Sequence, residues 1–149
     1  MEVKYKVSEI QVTYKPAIGE KPIICSALDA FNEFKKFFDP ETIALQEQFM
    51  VMYLNRANRV TGIYPLSKGG ITGTVADIRI ILSVALKIAA TGIILAHNHP
   101  SGSLRPSGTD IELTNKIADA AKLMDIKVLD HLILSGEGTF YSLGNEGLI

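Results

Sequence analysis

The residues best suited to chemistry lie between positions 97 and 110 of this 149-residue chain. His97 and His99, two of its three histidines, follow an apolar segment, and Asp110 falls in the first turn of a predicted helix. Residues two apart in an extended segment project from the same side, so one ion can contact both imidazoles. Zinc binds such ligands at about 2.0–2.2 Å, and catalytic zinc keeps one of its four positions open. The spacing therefore predicts a metal site.

Each of these residues also has a purely structural interpretation. Ser107 and Asp110, three residues apart, form a capping box that would begin a helix without any catalytic role. A single histidine at a strand end is more often a hydrogen-bonded core residue than a ligand. The histidine pair, followed by a glycine- and proline-rich loop and a carboxylate, favours the metal, and the capping and catalytic roles are compatible. The contiguous His-Asn-His does not indicate an HNH nuclease, in which these residues are dispersed over a ββα unit.

The elements that must position these residues predict an α/β layered domain with a mixed sheet, rather than a doubly wound one. The predicted strands are residues 3–14, 45–54, 59–66, 92–96, 127–134 and 139–143. Residues 45–54 and 59–66 flank a turn and are predicted to form a hairpin. The predicted helices run from Ser26 to Asp39, from Thr74 to Ala90 and from Gly108 to Met124.

Capping boxes and apolar spacing support the three helices. Ser26 with Asp29, and Thr74 with Asp77, are predicted to cap the first two. The apolar spacing predicts a core-facing side for each helix. The predicted inward residues are Leu28, Phe31, Phe34, Phe37 and Phe38 in the first helix, Ile78, Ile81, Leu82, Ala85, Ile88 and Ala89 in the second, and Ile111, Ile117, Ala118, Ala121 and Met124 in the third.

Composition and charge exclude several classes of protein. The chain has 47% apolar and 21% charged residues with a net charge of -1, which does not suggest a nucleic-acid or membrane-surface partner. We expect one domain over residues 1–149, with residues 1–25 as an N-terminal strand and loop extension. The apolar window 80–96 is interrupted by Lys87 and is not expected to span a membrane. No signal peptide is recognisable, so we expect a cytoplasmic protein.

Two further features have competing interpretations. Cys25, the single cysteine, fits a reducing compartment, and we favour a buried structural role over a thiol nucleophile because no histidine lies near it in sequence. The glycine-rich residues 69–74 could cradle a phosphate, but they lack the Gly-Lys-Ser/Thr ending of a P-loop. A bend before a helix explains these glycines better.

The spacing of the site residues resembles that of a known metalloprotease family. His97, His99, Ser107 and Asp110 reproduce the His-x-His-x7-Ser-x2-Asp motif of the JAMM (MPN/JAB-type) metalloproteases. Within this superfamily, the chain resembles the bacterial RadC family (UPF0758) over roughly residues 26–149. The matching segments are Gln46-Glu47, His97-Asn98-His99-Pro100-Ser101-Gly102, Pro106-Ser107, Asp110-Ile111, Asp130-His131 and Glu146-Gly147-Leu148.

This resemblance implies a zinc site and a role for each residue in it. His97, His99 and Asp110 would hold one zinc ion per chain. Glu47 matches the glutamate that activates the attacking water, and Ser107 matches the motif serine, which would donate a hydrogen bond to the oxyanion. Outside the resemblance, Glu47 is better explained as a surface glutamate at a strand start. The implied fold is the cytidine-deaminase-like MPN sandwich, a mixed sheet flanked by helices, which agrees with the predicted element order.

The activity implied by the resemblance is hydrolysis of a peptide or isopeptide bond in a protein substrate, with a ubiquitin-like tail as one candidate substrate. Two departures weaken the subfamily match. RadC proteins usually carry an N-terminal helix-hairpin-helix segment, which this chain is expected to lack. They also typically have a Pro-Arg-Glu run at the position of residues 76–79, which are Ala-Asp-Ile-Arg in this chain. Alternative functions are a DNA-repair-associated phosphodiesterase or nucleic-acid-binding protein, and a non-catalytic MPN interaction module. His131 is interpreted either as a core histidine or as a group that orients a metal ligand.

Overall fold

The computed structural model describes residues 6–70 and 74–149. Within them, three helices accompany a single mixed sheet of five strands. The strands are β1 (Gln48–Leu54), β2 (Val60–Lys68), β3 (Gly92–Asn98), β4 (Lys127–Leu134) and β5 (Phe140–Ser142), and the helices are α1 (Ala27–Phe34), α2 (Ile78–Lys87) and α3 (Gly108–Lys122). Their order in the sheet is β2-β1-β3-β4-β5. This mixed α/β architecture is consistent with the MPN/JAB fold and confirms the predicted fold class.

The strand pairing brings the ends of three strands together. β1 and β2 form the predicted antiparallel hairpin, and β1 also pairs antiparallel with β3, so that Phe49 lies opposite His97. β3 and β4 run parallel. A parallel pair needs a crossover connection, which α3 provides here. The crossover makes the chain leave β3 at the histidines and enter α3 near Asp110.

Helices cover both faces of the sheet, which explains why β1 and β3 are buried along their whole length. On one face, α1 packs with alternate residues of the central strands, including Ile94 and Ala96. On the other face, α2 and α3 pack with the intervening residues, including Ile93 and Leu95. Side chains alternate along a strand. His97 therefore lies on the face covered by α2 and α3, and Asn98 on the face covered by α1.

The helices are shorter than predicted, and this exposes several residues that were expected to be inward. α1 ends after Phe34, so Phe37 is exposed while Phe38 returns to the core. Leu28, within α1, is exposed because the buried side of the helix is formed by Ala30, Phe31 and Phe34. Met124 is exposed because α3 ends at Lys122 and the chain turns through Asp125, whose φ is +54°. Ala89 is likewise exposed, beyond the end of α2, with a left-handed φ of +53°.

The predicted cap of the second helix is wrong. Asp77 is itself the N-cap, and its side chain accepts a hydrogen bond from the backbone N–H of Arg79. Thr74 does not cap the helix, because its hydroxyl is hydrogen-bonded to that of Ser67 at 3.1 Å. Part of the glycine-rich segment, residues 71–73, lies outside the described residues.

Two predictions for the N-terminal region are also wrong. Residues 6–14 form no strand. Their apolar side chains, such as Val7 and Ile10, are exposed because no neighbouring strand pairs with this segment and buries one of its sides. Residues 3–5 of that predicted strand lie outside the described residues. Cys25 is exposed rather than buried, because it precedes α1 at the surface instead of lying in an apolar segment of the core.

Candidate metal centre

The structure brings His97, His99 and Asp110 together at the end of β3. One potential ligand atom from each residue lies within 4.8 Å of the others. The Nε2 atoms of the two histidines are 3.0 Å apart, and they lie 3.4 Å and 3.2 Å from Oδ1 and Oδ2 of Asp110, respectively. His97 is buried, whereas His99 and Asp110 are partly exposed. This arrangement leaves one side of the cluster accessible to solvent.

These separations fit a tetrahedral zinc ion. Bonds of about 2.0–2.1 Å at tetrahedral angles place neighbouring ligand atoms about 3.3 Å apart. The two Nε2 atoms, 3.0 Å apart, are close to this separation, as are the 3.4 and 3.2 Å contacts that they make with different oxygens, Oδ1 and Oδ2, of Asp110. One ligand atom from each of the three residues lies within 4.8 Å of the others. Two imidazole nitrogens with one carboxylate oxygen are also a donor set that zinc accepts. The residues present therefore fit a zinc ion with a position left for water.

The capping box predicted for α3 is present, and it aims the carboxylate at the histidines. The backbone N–H of Asp110 donates to Ser107 Oγ at 3.0 Å, and the backbone N–H of Ser107 donates to Asp110 Oδ2 at 2.9 Å. These two bonds satisfy amides at the helix start that would otherwise lack partners. The structural interpretation of Ser107 and Asp110 is thus correct and compatible with a ligand role, because the cap fixes the side chain that faces the cluster.

The second ring nitrogen of His99 is held by the loop after β3. Its Nδ1 lies 2.8 Å from the carbonyl oxygen of Ser103. Because a carbonyl can only accept, Nδ1 carries the proton in this contact. In the neutral ring, Nε2 is then free to present a lone pair to the cluster. The loop rich in glycine and proline therefore orients one of the two histidines.

The second ring nitrogen of His97 contacts His131, which is fully buried. His97 Nδ1 lies 2.7 Å from His131 Nε2, and His131 Nδ1 lies 2.6 Å from the hydroxyl of Thr114. His131 is therefore both a core histidine and a neighbour of a candidate ligand. Thr114 was not predicted as a site residue, although its position four residues after Asp110, one helical turn away, was an available signal.

The charges of the cluster shift the pKa values of its members in opposite directions. Burial alone would raise the pKa of Asp110, but the contacts of its carboxylate with His97 and His99 and the hydrogen bond from the Ser107 N–H outweigh burial and hold that pKa well below its usual range. The hydrogen bond with Asp110 raises the pKa of His99, against the opposing effect of burial. Asp110 is therefore an anion under all ordinary conditions, as a metal ligand must be.

Glu47 lies beside the same cluster, just before β1. Its backbone N–H donates to Gly70 at 3.3 Å and its carbonyl accepts from Gly69 at 2.8 Å, which extends the hairpin by one residue. Since Glu47 is two residues before Phe49, it lies on the face of the sheet that carries His97. Partial burial raises the pKa of Glu47, His97 and His99 oppose this shift, and Asp110 adds to it. Glu47 is therefore half-buried and electrostatically coupled to the candidate ligands, not a solvated surface glutamate.

Asn98 holds the segment that carries Glu47. Its Oδ1 accepts from the backbone N–H of Gln48 at 2.7 Å, and its Nδ2 donates to the carbonyls of Ile43 and Gln46 at 2.7 and 2.9 Å. In the sequence, Asn98 was notable only as part of the motif that matches the RadC family. The alternation of side chains along β3, which sends Asn98 to the opposite face from His97, was the available signal.

Comparison with known proteins places this arrangement in a family. Residues 24–148 match the model of the RadC-like JAB domain, and the chain belongs to this family. A UPF0758 protein of Flavobacterium johnsoniae is 48% identical over 102 residues, which are 68% of this chain and 44% of the relative. A UPF0758 protein of Porphyromonas gingivalis is 43% identical over 104 residues, 70% of this chain and 46% of the relative.

The UPF0758 protein YfjY of Escherichia coli is 40% identical over 104 residues, 70% of this chain and 64% of that protein. The chain thus spans less than half the length of the first two relatives. The family confirms the predicted resemblance and is consistent with a metalloenzyme. Among the described residues, the helices are too short or too polar to cross a lipid bilayer.

Proposed function

We propose that this domain is a zinc-dependent hydrolase that cleaves a peptide or isopeptide bond in a protein substrate. The observation that carries the proposal is the convergence of His97, His99 and Asp110 at separations of 3.0 to 3.4 Å, beside the half-buried Glu47. A zinc ion held by these three residues would supply Lewis acidity and lower the pKa of a water molecule toward about 7. The single cysteine is compatible with activity in the cytoplasm.

Glu47 is the proposed general base. Its raised pKa lies closer to neutral pH than that of an ordinary glutamate. Such a pKa suits a group that must both accept and release a proton during one reaction. Glu47 would accept a proton from the attacking water and then give it to the leaving amine nitrogen. The extension of the β1–β2 hairpin and the Asn98 side chain hold Glu47 in place for both transfers.

Ser107 is the proposed donor to the oxyanion. Its hydroxyl oxygen accepts from the backbone N–H of Asp110, so its own proton remains available to donate outward from the helix start. Ser107 is exposed, as a substrate-contacting residue must be. Where comparable donors are removed from hydrolases, kcat falls by about 10²–10³-fold.

The substrate class rests on this chemistry and on the family. Hydrolysis by a metal, a base and an oxyanion donor suits the amide bond, and a ubiquitin-like tail is one candidate substrate. The net charge of -1 does not favour a nucleic-acid substrate, whose backbone is recognised by clustered Lys and Arg. Because the chain spans less than half of several relatives, the whole protein's substrates and partners belong to the same proposal.

The first test is metal content. Protein purified without chelator should contain about one zinc per chain, measured by plasma emission spectrometry. The isosteric variant Asp110→Asn should contain far less. Wild-type protein that binds no zinc would overturn the proposal.

The second test separates a hydrolase from a metal-binding module. Cleavage of a quenched fluorescent peptide library, and of isopeptide-linked diubiquitin, should fall by about 10²–10⁴-fold in Glu47→Gln, the range expected for loss of a general base. Zinc content should not change in this variant. Glu41→Gln, an exposed glutamate in the same segment, is the matched control and should cleave like wild type. A cleavage rate unaffected by Glu47→Gln would exclude this residue as the base.

A further inference from the structure

We propose that Thr114 and His131 are positioning residues that fix the tautomer of His97, so that its Nε2 lone pair faces the metal centre. This inference rests on the proposed zinc site. It assigns a task to a buried histidine and a buried threonine that the proposed reaction does not otherwise use. The positions of the ring protons follow from a series of short hydrogen bonds.

One end of this series of hydrogen bonds is a backbone carbonyl, which fixes the direction in which each bond is donated. Thr114 Oγ1 lies 2.6 Å from the carbonyl oxygen of Asp110 and 2.6 Å from Nδ1 of His131. A carbonyl oxygen can only accept, so the threonine must use its single hydroxyl proton on Asp110. The contact with His131 is then a hydrogen bond only if Nδ1 carries a proton and donates it to the threonine oxygen.

The next link assigns the protons of the two histidines. His131 is fully buried, and the polar groups around its ring are Thr114 and His97, with no carboxylate in direct contact. A doubly protonated His131 would donate to His97 Nδ1 and leave the His97 proton on Nε2, which is incompatible with the proposed zinc site, so His131 carries a single ring proton. Neutral His131 with its proton on Nδ1 has an acceptor at Nε2. His97 Nδ1, 2.7 Å away, must therefore donate to it.

The last link reaches the metal centre. A neutral His97 that carries its proton on Nδ1 has an unprotonated Nε2, and this is the atom that lies 3.0 Å from His99 Nε2 and 3.4 Å from Asp110 Oδ1. The order of donation is therefore His97 to His131, His131 to Thr114, and Thr114 to the backbone of Asp110. This series of hydrogen bonds, which we call the relay, runs from the candidate ligand His97 to the backbone of the candidate ligand Asp110. It therefore connects β3, β4 and α3.

Aromatic packing shields the hydrogen bonds of the relay from water. The ring of Phe49 is parallel to that of His97, with centroids 6.0 Å apart, and meets the ring of His131 edge-on at 5.6 Å. Phe49 is buried, as are Thr114 and His131. Water has little access to replace a missing partner there, so loss of the threonine hydroxyl would leave the Nδ1 proton of His131 unsatisfied. His131 would then favour its other tautomer and donate to His97, which would place the His97 proton on Nε2.

The tautomers are measurable because the chain has only three histidines, all in this cluster. Two-bond proton–nitrogen correlation spectra of the full chain with isotopically labelled ring nitrogens identify the protonated nitrogen of each ring. We expect His131 to be protonated at Nδ1 in both the metal-free and the zinc-loaded chain. Protonation of His131 at Nε2 in wild type would overturn the proposal, whether or not any variant folds.

Zinc affinity provides the second readout, by competition with a chromophoric chelator. Thr114→Val removes the hydroxyl with little change of shape and should weaken zinc binding by about 10-fold, the lower end of the effect of losing a partner of a metal ligand, because Thr114 acts on His97 through His131. Thr114→Ser retains the hydroxyl and should restore the affinity and the Nδ1 tautomer of His131. The matched control is Thr61→Val, which removes a 3.1 Å bond to the Tyr53 carbonyl far from the site and should bind zinc like wild type.

The outcomes separate this inference from the proposed function. A folded Thr114→Val variant with the zinc affinity of wild type would overturn the role of the relay. If Thr114→Ser binds zinc as weakly as Thr114→Val, packing rather than the hydroxyl matters, and the relay is again overturned. A wild-type chain that binds zinc but cleaves no peptide would contradict the hydrolase, while the relay would still be supported by the tautomer and the affinities.

Discussion

The side-chain oxygen of Asn98 accepts a hydrogen bond of 2.7 Å from the backbone N–H of Gln48. This bond joins the residue between the two candidate histidine ligands to the residue that follows the proposed base. The amide nitrogen of the same side chain donates to the carbonyls of Ile43 and Gln46, so Asn98 fixes the chain on both sides of Glu47. The two faces of β3 thus have separate tasks: one presents metal ligands, and the other holds the base-bearing segment.

Replacement of Asn98 by alanine should therefore destabilise the fold. The change leaves one buried N–H and two carbonyls without their partner, and each unsatisfied group costs about 1–3 kcal/mol unless water reaches it. We expect the free energy of unfolding, measured with urea, to fall by at least about 2 kcal/mol. Asn115→Ala, on the exposed side of α3, is the control and should have little effect. Equal stabilities of the two variants would show that the Asn98 bonds contribute nothing net.

Zinc should stabilise the fold through Asp110 specifically. A ligand that binds only the folded state adds about 2.7 kcal/mol at 100 times its Kd. Wild type and Asp119→Asn, an exposed residue of the same helix, should both gain this stability in urea unfolding with zinc. Asp110→Asn keeps an oxygen for the cap but loses the anionic ligand, so we expect it to gain almost none. A similar gain in this variant would place the zinc elsewhere.

Ser107 should contribute separately to stability and to catalysis. Ser107→Ala should lower the free energy of unfolding by about 1 kcal/mol through loss of the N-cap, and Ser107→Gly by only a few tenths. Both should lose cleavage by a similar factor, about 10²–10³, if the hydroxyl stabilises the oxyanion. Ser26→Ala, which removes the cap of α1 on the other face, should lose stability but retain cleavage. Cleavage rates that follow stability across these variants would argue against the catalytic role.

Tyr53 should make stability depend on alkaline pH. Its buried hydroxyl donates to the carbonyl of Ile81 at 2.9 Å, and burial, reinforced by Tyr64, raises its pKa above the usual value. A raised pKa in the folded state means that this contribution is complete below the unfolded value of about 10 and is lost as the pH rises above it.

The variant Tyr53→Phe isolates this contribution. At neutral pH it should be less stable than wild type by about 1 kcal/mol, the net value of one buried hydrogen bond. Above pH of about 10, Tyr53 of the wild type ionises when the protein unfolds, which favours the unfolded state, so the advantage of the wild type should shrink as the pH rises. Urea unfolding across this range, with the exposed Tyr14→Phe as control, measures the difference. A difference that does not change with pH would contradict the assigned shift.

Local features of the chain were predictable where a few neighbouring residues decide the structure. The apolar run of β3, the hairpin of β1 and β2 and the capping box at Ser107 and Asp110 are of this kind, and each is found as predicted. The predictions that failed required knowledge of what packs against a segment. Residues 6–14 alternate like a strand but pair with none, and Phe37 has apolar spacing but lies beyond the end of its helix.

The sequence by itself determined the two histidines on one side of a strand and the carboxylate fixed by its own helix cap, because spacing and local hydrogen bonds define them. Only the tertiary structure decided which distant groups join them. Pairing of β1 with β3 sets Glu47 beside the cluster, and the parallel register of β4 places His131 opposite Leu95, on the face that carries His97. Thr114 then meets His131 because α3 packs on that face. Such contacts depend on strand register and helix packing, which no local pattern specifies.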